Sequence, residues 1–214
     1  MEQETILLID VKYGSPDGPF HTVGLVLGQI AGIQLTILEK KLFHFPIDLN
    51  VDYDVRQRNL VLQKPDYDSR FTAEMNAAAN CTDEKDLCTQ VATYINETLL
   101  RYPDATLMSD HPVCDIGYLS SRCLTYLRDR DSFYGLIYTC QDGIKCYRGF
   151  RDADSYEVAL RLLMGKDYRI AIDEPLAQRS CPIKTCQRAD DRAEYSLSRY
   201  VVTKELLLRY RQYQ

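Results

Sequence analysis

The chain has no tryptophan, no Cys-x-x-Cys pair and no apolar run of the roughly 18 residues that a transmembrane helix needs. The missing run excludes a membrane-spanning helix and sets the expectation that no membrane is a partner. The N-terminal Met1-Glu2-Gln3-Glu4-Thr5 is acidic and leads straight into apolar sequence. That is not a signal peptide, and it implies a cytoplasmic or other reducing compartment rather than secretion. The eight cysteines then read as buried free thiols, because the pairs 81/88, 140/146 and 181/186 are spaced too loosely for a zinc knuckle. Excess positive charge is missing too. With 26 Lys and Arg against 31 Asp and Glu, the net charge of −5 does not advertise nucleic-acid binding. A local basic channel built from C-terminal arginines such as Arg188 and Arg192 is compatible with that balance. No repeat, low-complexity tract or linker is visible, so residues 1–214 are expected to form one domain.

What is present is ordinary globular composition, 45% hydrophobic and 27% charged. Ile6 to Val11 is a continuous apolar run interrupted by Asp10, as expected of a strand buried on both faces. His21 to Ile30 and Ile33 to Phe45 read as two further strands joined at Ala31-Gly32. Helices are expected over Phe71–Ala79 and Asp83–Arg101, the second capped by Thr82. A short strand, Ala105–Met108, leads to a helix over Ile116–Leu127. Runs at 135–139 and 144–147 read as a hairpin around Asp142-Gly143, and Asp154–Met164 as a helix stopped by Gly165. Ala171 to Lys184, with two prolines, reads as a loop, and one long helix is expected from Cys186 to the C-terminus.

Three acids fall at informative places. Asp10 ends a buried strand, Asp115 follows a strand at the start of a helix, and Asp191 lies near the start of the last helix. Two-metal phosphodiester chemistry needs carboxylates converging on divalent ions about 3.5–4 Å apart, and carboxylate oxygens suit magnesium or manganese. Asp10 also has an ordinary reading as a strand-end turn residue, and Asp115 as a helix cap. Asp190 beside Asp191 leaves open which of that pair faces a site, with spacing favouring Asp191.

The chain resembles the histidine-type branch of the DEDD superfamily of 3′-5′ exonucleases. That family carries Asp-x-Glu on its first strand, where this chain has Asp10-Val11-Lys12. Its second motif is matched by Asp110-His111-Pro112-Val113-Cys114-Asp115 with Leu119 four residues on. Its third, His-x-x-x-x-Asp, is matched by Cys186-Gln187-Arg188-Ala189-Asp190-Asp191. Ser109 to Asp115 and Tyr147 to Tyr156 are also similar to segments of exonuclease-like proteins of phages and large DNA viruses. The resemblance implies an α/β, ribonuclease H-like fold: a mixed central sheet with three N-terminal antiparallel strands, flanked by helices. It implies metal binding by Asp10, Asp115 and Asp191, with Mg or Mn as cofactor. His111, the histidine near that site, and the C-terminal Arg188 and Arg192 are the candidate nucleic-acid contacts.

Two departures change the functional expectation. Lys12 stands where the family has a metal-binding glutamate, a change of two charge units. Cys186 stands where it has its general-base histidine, and a thiol with a pKa of about 8.5 is a poor base at pH 7. Loss of a general base alone costs on the order of 10²–10⁴ in rate. The expected protein is therefore a degenerate exonuclease-like pseudo-enzyme that binds single-stranded nucleic acid or a protein partner. One alternative is an active exonuclease with an unusual site formed by Asp10, Asp115, Asp191, Lys12 and Cys186. The other is a structural or virion-associated interaction protein.

Overall fold

The computed structural model describes residues 3–13, 20–46, 69–127, 138–141, 144–147, 150–178 and 188–212. Three long strands open it: β1 (Gln3–Tyr13), β2 (Phe20–Ala31) and β3 (Gln34–His44). Gly32, at φ 64°, lies in the left-handed region that lets β2 turn back into β3 within two residues. Then come α1 (Ser69–Ala77), α2 (Glu84–Arg101), β4 (Thr106–Ser109) and α3 (Pro112–Tyr126). A hairpin of β5 (Tyr138–Gln141) and β6 (Ile144–Tyr147) forms its own two-stranded sheet. β7 (Phe150–Asp152), α4 (Ala153–Met164), α5 (Tyr168–Gln178) and the long α6 (Ala189–Gln212) complete the described chain.

The main sheet has the order β3-β2-β1-β4-β7. β1, β2 and β3 are antiparallel, while β4 runs parallel to β1 and β7 parallel to β4. This is the mixed α/β sheet expected from the sequence, with its three antiparallel strands at the N-terminus and helices on both faces. Alternation along β1 divides the core. Leu7, Ile9 and Val11 face α2 and α3, where Leu87, Val91, Ile95, Ile116 and Leu119 cover them. Ile6 and Leu8 face α6, against Ala193, Leu197, Tyr200 and Val201.

Several sequence expectations need correction. Residues 171–178 are helical, not loop, and Pro175 sits inside α5. Tyr168, Ile172 and Leu176, four residues apart, are buried against Tyr195 and Val202 of α6. That burial offsets the backbone hydrogen bond the proline cannot make. The rest of the expected loop, 179–184, lies outside the described residues, as do 142–143 and Cys186. The N-cap of α2 is Asp83 rather than Thr82: its carboxylate accepts from the Asp86 amide at 2.8 Å. Asp86 in turn accepts from the Thr82 amide at 2.8 Å, one residue before the cap. α3 starts at Pro112, one turn before the expected Ile116, with the proline in its first turn where a missing N–H is harmless.

Candidate functional site at the carboxyl edge of the sheet

β4 ends one residue past its pairing of Met108 with Leu8 of the parallel β1, and the crevice beyond that end is where an α/β sheet presents its backbone and side chains to a ligand. Asp10 is near the end of β1, on the α6 side. Its register partner on β2 is Gly24. The first turn of α6 rests on that glycine, so closely that a Cβ there would lie 2.1 Å from the Ala189 carbonyl carbon and 2.2 Å from the Asp190 nitrogen. The lack of a side chain at 24 is what brings the α6 N-terminus to the end of β1.

β4 delivers Ser109 and Asp110 to the same edge, and α3 delivers Asp115 in its first turn. Asp110 and Asp115 are buried. The Ser109 hydroxyl donates to the Asp115 carboxylate and accepts from the His111 amide at 3.0 Å. Burial and then the nearby negative charge of Asp10 push Asp115 up to about 7, against the pull of the Ser109 hydrogen bond, Lys12 and His111. Burial also raises Asp10, opposed first by Lys12.

Lys12 Nζ lies 2.8 Å from Asp10 Oδ2. Lys12 therefore places an ammonium on Asp10, the first of the three aspartates that the sequence reading expects to hold a metal. Asp110 is answered in the same way: it accepts from Ser196 Oγ at 2.5 Å and lies 3.1 Å from Arg199 and 3.9 Å from Arg192. Arg199 also binds Asp154, and Glu157 at 2.9 Å.

The two acids of the last helix take different positions. Asp190 is buried and accepts two hydrogen bonds from Arg188, at 3.2 and 3.0 Å. Asp191 is paired with Lys40 of β3, and Arg188 Nε lies 3.7 Å from it. His111 precedes α3 and is 66% exposed, with Nδ1 3.6 Å from Asp154. Asp10, Lys12, Asp115, His111 and Arg192 are thus one electrostatically connected group; Arg188 and Asp191 belong to a neighbouring one around Lys40.

The fit to Mg or Mn is poor among the described residues, where no group of three or more His, Cys, Asp and Glu side chains comes together as metal ligands. Asp10, Asp110, Asp190 and Asp191 each have a cation of the chain within 4 Å. These residues do not form a two-ion centre as they stand.

Asp110 belongs to the second motif and Arg199 to the arginine-rich C-terminal half, but neither is among the residues that the sequence marks for the site. Nor is a buried line of polar groups one strand away. Thr22 Oγ1 lies 2.9 Å from His21 Nδ1 and 2.7 Å from His44 Nδ1, and His44 Nε2 lies 3.2 Å from Asn76. Burial, then His44 and Lys12, push His21 down to about 3, so it is neutral at any ordinary pH. Thr22 is the register partner of both Lys12 and His44, and this pairing across three strands has no signature in local sequence.

No protein-family model matches the chain. No curated protein matches it either. Among solved structures, exonuclease I of Methylocaldum szegediense matches with a TM-score of 0.46 and 12% identity, over 96% of this chain and 43% of that one. Escherichia coli exonuclease I, in the metal-free form of its complex with single-stranded DNA, matches with a TM-score of 0.46 and 14% identity, over 96% and 41%. The chain spans less than half the length of either, and likeness at this identity concerns fold, not activity.

Proposed function

We propose that this chain is a nuclease-fold protein that binds single-stranded nucleic acid at the carboxyl edge of its sheet and is impaired in cleavage. The observation that carries the reading is the ion pair between Lys12 and Asp10 at 2.8 Å. An ammonium there supplies internally the positive charge that a catalytic ion would bring, but it activates no water. The layering of charge supports a polyanionic ligand. Asp110 and Asp115 are buried beneath, while Lys12, Arg192 and His111 are more exposed above them, so a phosphate backbone would meet cations first. Asp10, Asp115 and a carboxylate of the Asp190-Asp191 pair are the remnant of the metal-binding set, and Arg188 extends the basic rim.

Labelled single-stranded RNA and DNA oligonucleotides test this in two assays. Binding without divalent metal is expected, with log K falling linearly as log salt rises. With Mg or Mn, digestion by wild type is expected to be no faster than by Asp115→Ala, and to rise in a Lys12→Glu, Cys186→His double variant. Degradation by wild type that Asp115→Ala abolishes would overturn the impaired-catalysis reading. Absence of salt-sensitive binding would overturn the nucleic-acid reading.

A further inference from the structure

Asp10 and Asp115 lie together at the carboxyl edge, whereas Asp191 is paired with a lysine of the edge strand β3. Lys40 is in register with Val26 of β2, and Val26 with Leu8 of β1. Asp10 is two residues further along β1 and two strands away, about 10 Å across the sheet at ~4.8 Å per strand. The Lys40 ammonium bonds Asp191 and also Glu194 at 2.9 Å, with Asp190 3.9 Å away. Burial opposes its charge, but the bonds to Asp191 and Glu194 outweigh burial and hold Lys40 above the usual lysine range. Acids are at home in the first turn of any helix. What is particular is the strand lysine on which these converge.

α6 carries three stripes at this end. Ala193, Leu197 and Tyr200 face the sheet and enter its core. Arg192, Ser196 and Arg199, at i, i+4 and i+7, reach Asp110 on the β4 side at 3.9, 2.5 and 3.1 Å. Asp191 and Glu194, at i and i+3, meet Lys40 on the β3 side. Successive residues leave a helix about 100° apart, so Asp191 and Arg192 cannot point the same way. The rotational setting of α6 therefore decides whether a carboxylate or a guanidinium is turned toward the crevice. It is Arg192 that is turned there, and its charge also acts on Asp10.

We infer, on the reading of Asp10, Asp115 and Asp191 as the remnant of a metal-binding set, that Lys40 is a positioning residue: it holds Asp191 on the β3 side of α6, so that the crevice receives the Arg192 side of the helix instead. Two lysines then keep the three acids from converging. Lys12 covers the first of them, and Lys40 withholds the third. The same setting that denies a divalent ion its third carboxylate gives the crevice a guanidinium, which suits an anionic ligand.

Mn²⁺ binding to the full chain, followed by loss of the electron paramagnetic resonance signal of the free ion, tests this independently of cleavage. Lys12→Ala provides the background in which Asp10 is uncovered. Adding Lys40→Met should tighten Mn²⁺ binding about tenfold, the scale on which residues around a metal site act. Adding Lys40→Arg instead should leave binding as in Lys12→Ala, because a guanidinium keeps Asp191 and Glu194 paired. A further Asp191→Asn should cancel the gain from Lys40→Met. Circular dichroism and a thermal melt check that each variant is folded, and Lys40→Gln replaces Lys40→Met if the latter is not. Equal binding with and without Lys40, a gain that survives Asp191→Asn, or the same gain from Lys40→Arg overturns the inference. So does wild type that already binds Mn²⁺ as tightly as the variant lacking both lysines. Salt-dependent binding of oligonucleotides by wild type is measured separately, so that failure of the nucleic-acid reading and failure of this one are told apart.

Discussion

The two faces of the central sheet are built from the same strands on opposite principles. The face toward α2 and α3 is a dry core of Leu, Ile and Val. Its main buried charge, Glu84, sits where α2 begins and is closed off by Arg122 and by the Tyr126 hydroxyl at 2.6 Å. The face toward α6 carries Asp10, Asp110, Ser196 and Arg199 among its apolar residues. One face is stabilised by area removed from water. The other depends on pairing, because a buried charge is tolerable only with its partners present. A substitution therefore has different consequences on the two faces, even at equal burial.

The most damaging change to this contrast is removal of Arg199. Its guanidinium answers Asp110, Asp154 and Glu157 together, and Arg199→Met leaves three carboxylates crowded with no common cation. Breaking a buried pair in this way costs about 3–5 kcal/mol, measurable by urea unfolding.

Next is the response to pH. Asp115 is raised from 3.8 to about 7 in the folded chain, so between those values the native state holds a proton the unfolded chain has lost. Stability from this group is full below about pH 4 and is lost as pH rises toward 7, on the order of 4 kcal/mol over the whole window. Asp10, also raised, acts in the same direction. Asp115→Asn should flatten the decline, so the variant gains on wild type at pH 8 relative to pH 4; parallel curves would contradict the assignment.

The smallest effect comes from paired glycine substitutions. Gly24→Ala forces the α6 backbone away from β2 and should cost about 1–3 kcal/mol. Gly117→Ala, in exposed helix with nothing within 4 Å of the added carbon, should stabilise by about 0.5–1 kcal/mol. Melting temperatures moving in opposite directions would sharpen the difference between a crowded position and an open one.

The part of this architecture that was legible in sequence is the part that local pattern encodes. The apolar runs of β1 to β4 and the 3.6-residue stripes of α2, α3 and α4 identify themselves, and Asp10 and Asp115 stand out because they interrupt or follow such runs. The three residues of β7 are too few for a period, and α5 hides behind Pro175 although its spacing of four was available. Lys12 was recognisable as a departure. That it would bind Asp10 depends on two side chains of one face at the end of a strand, where the alternation places residues 10 and 12 side by side. Arg199 was not readable as part of a site, since its partners are 45 and 89 positions away and only packing of α6 on the sheet and on α4 brings them together.

The resting place of α6 on Gly24 and Gly28 has a consequence in time as well as in space. Ala189–Gln212 is the last described helix, and it covers strands formed by residues 3–31. During synthesis those strands emerge first, and Ile6, Leu8, Val26 and Ile30 stay uncovered until Leu197, Tyr200 and Val201 have been made. Closing so long a loop is entropically slow, and it makes docking of the helix a late folding event. Until then the nascent chain carries an open apolar sheet face, the kind of surface on which chaperones act and aggregates begin.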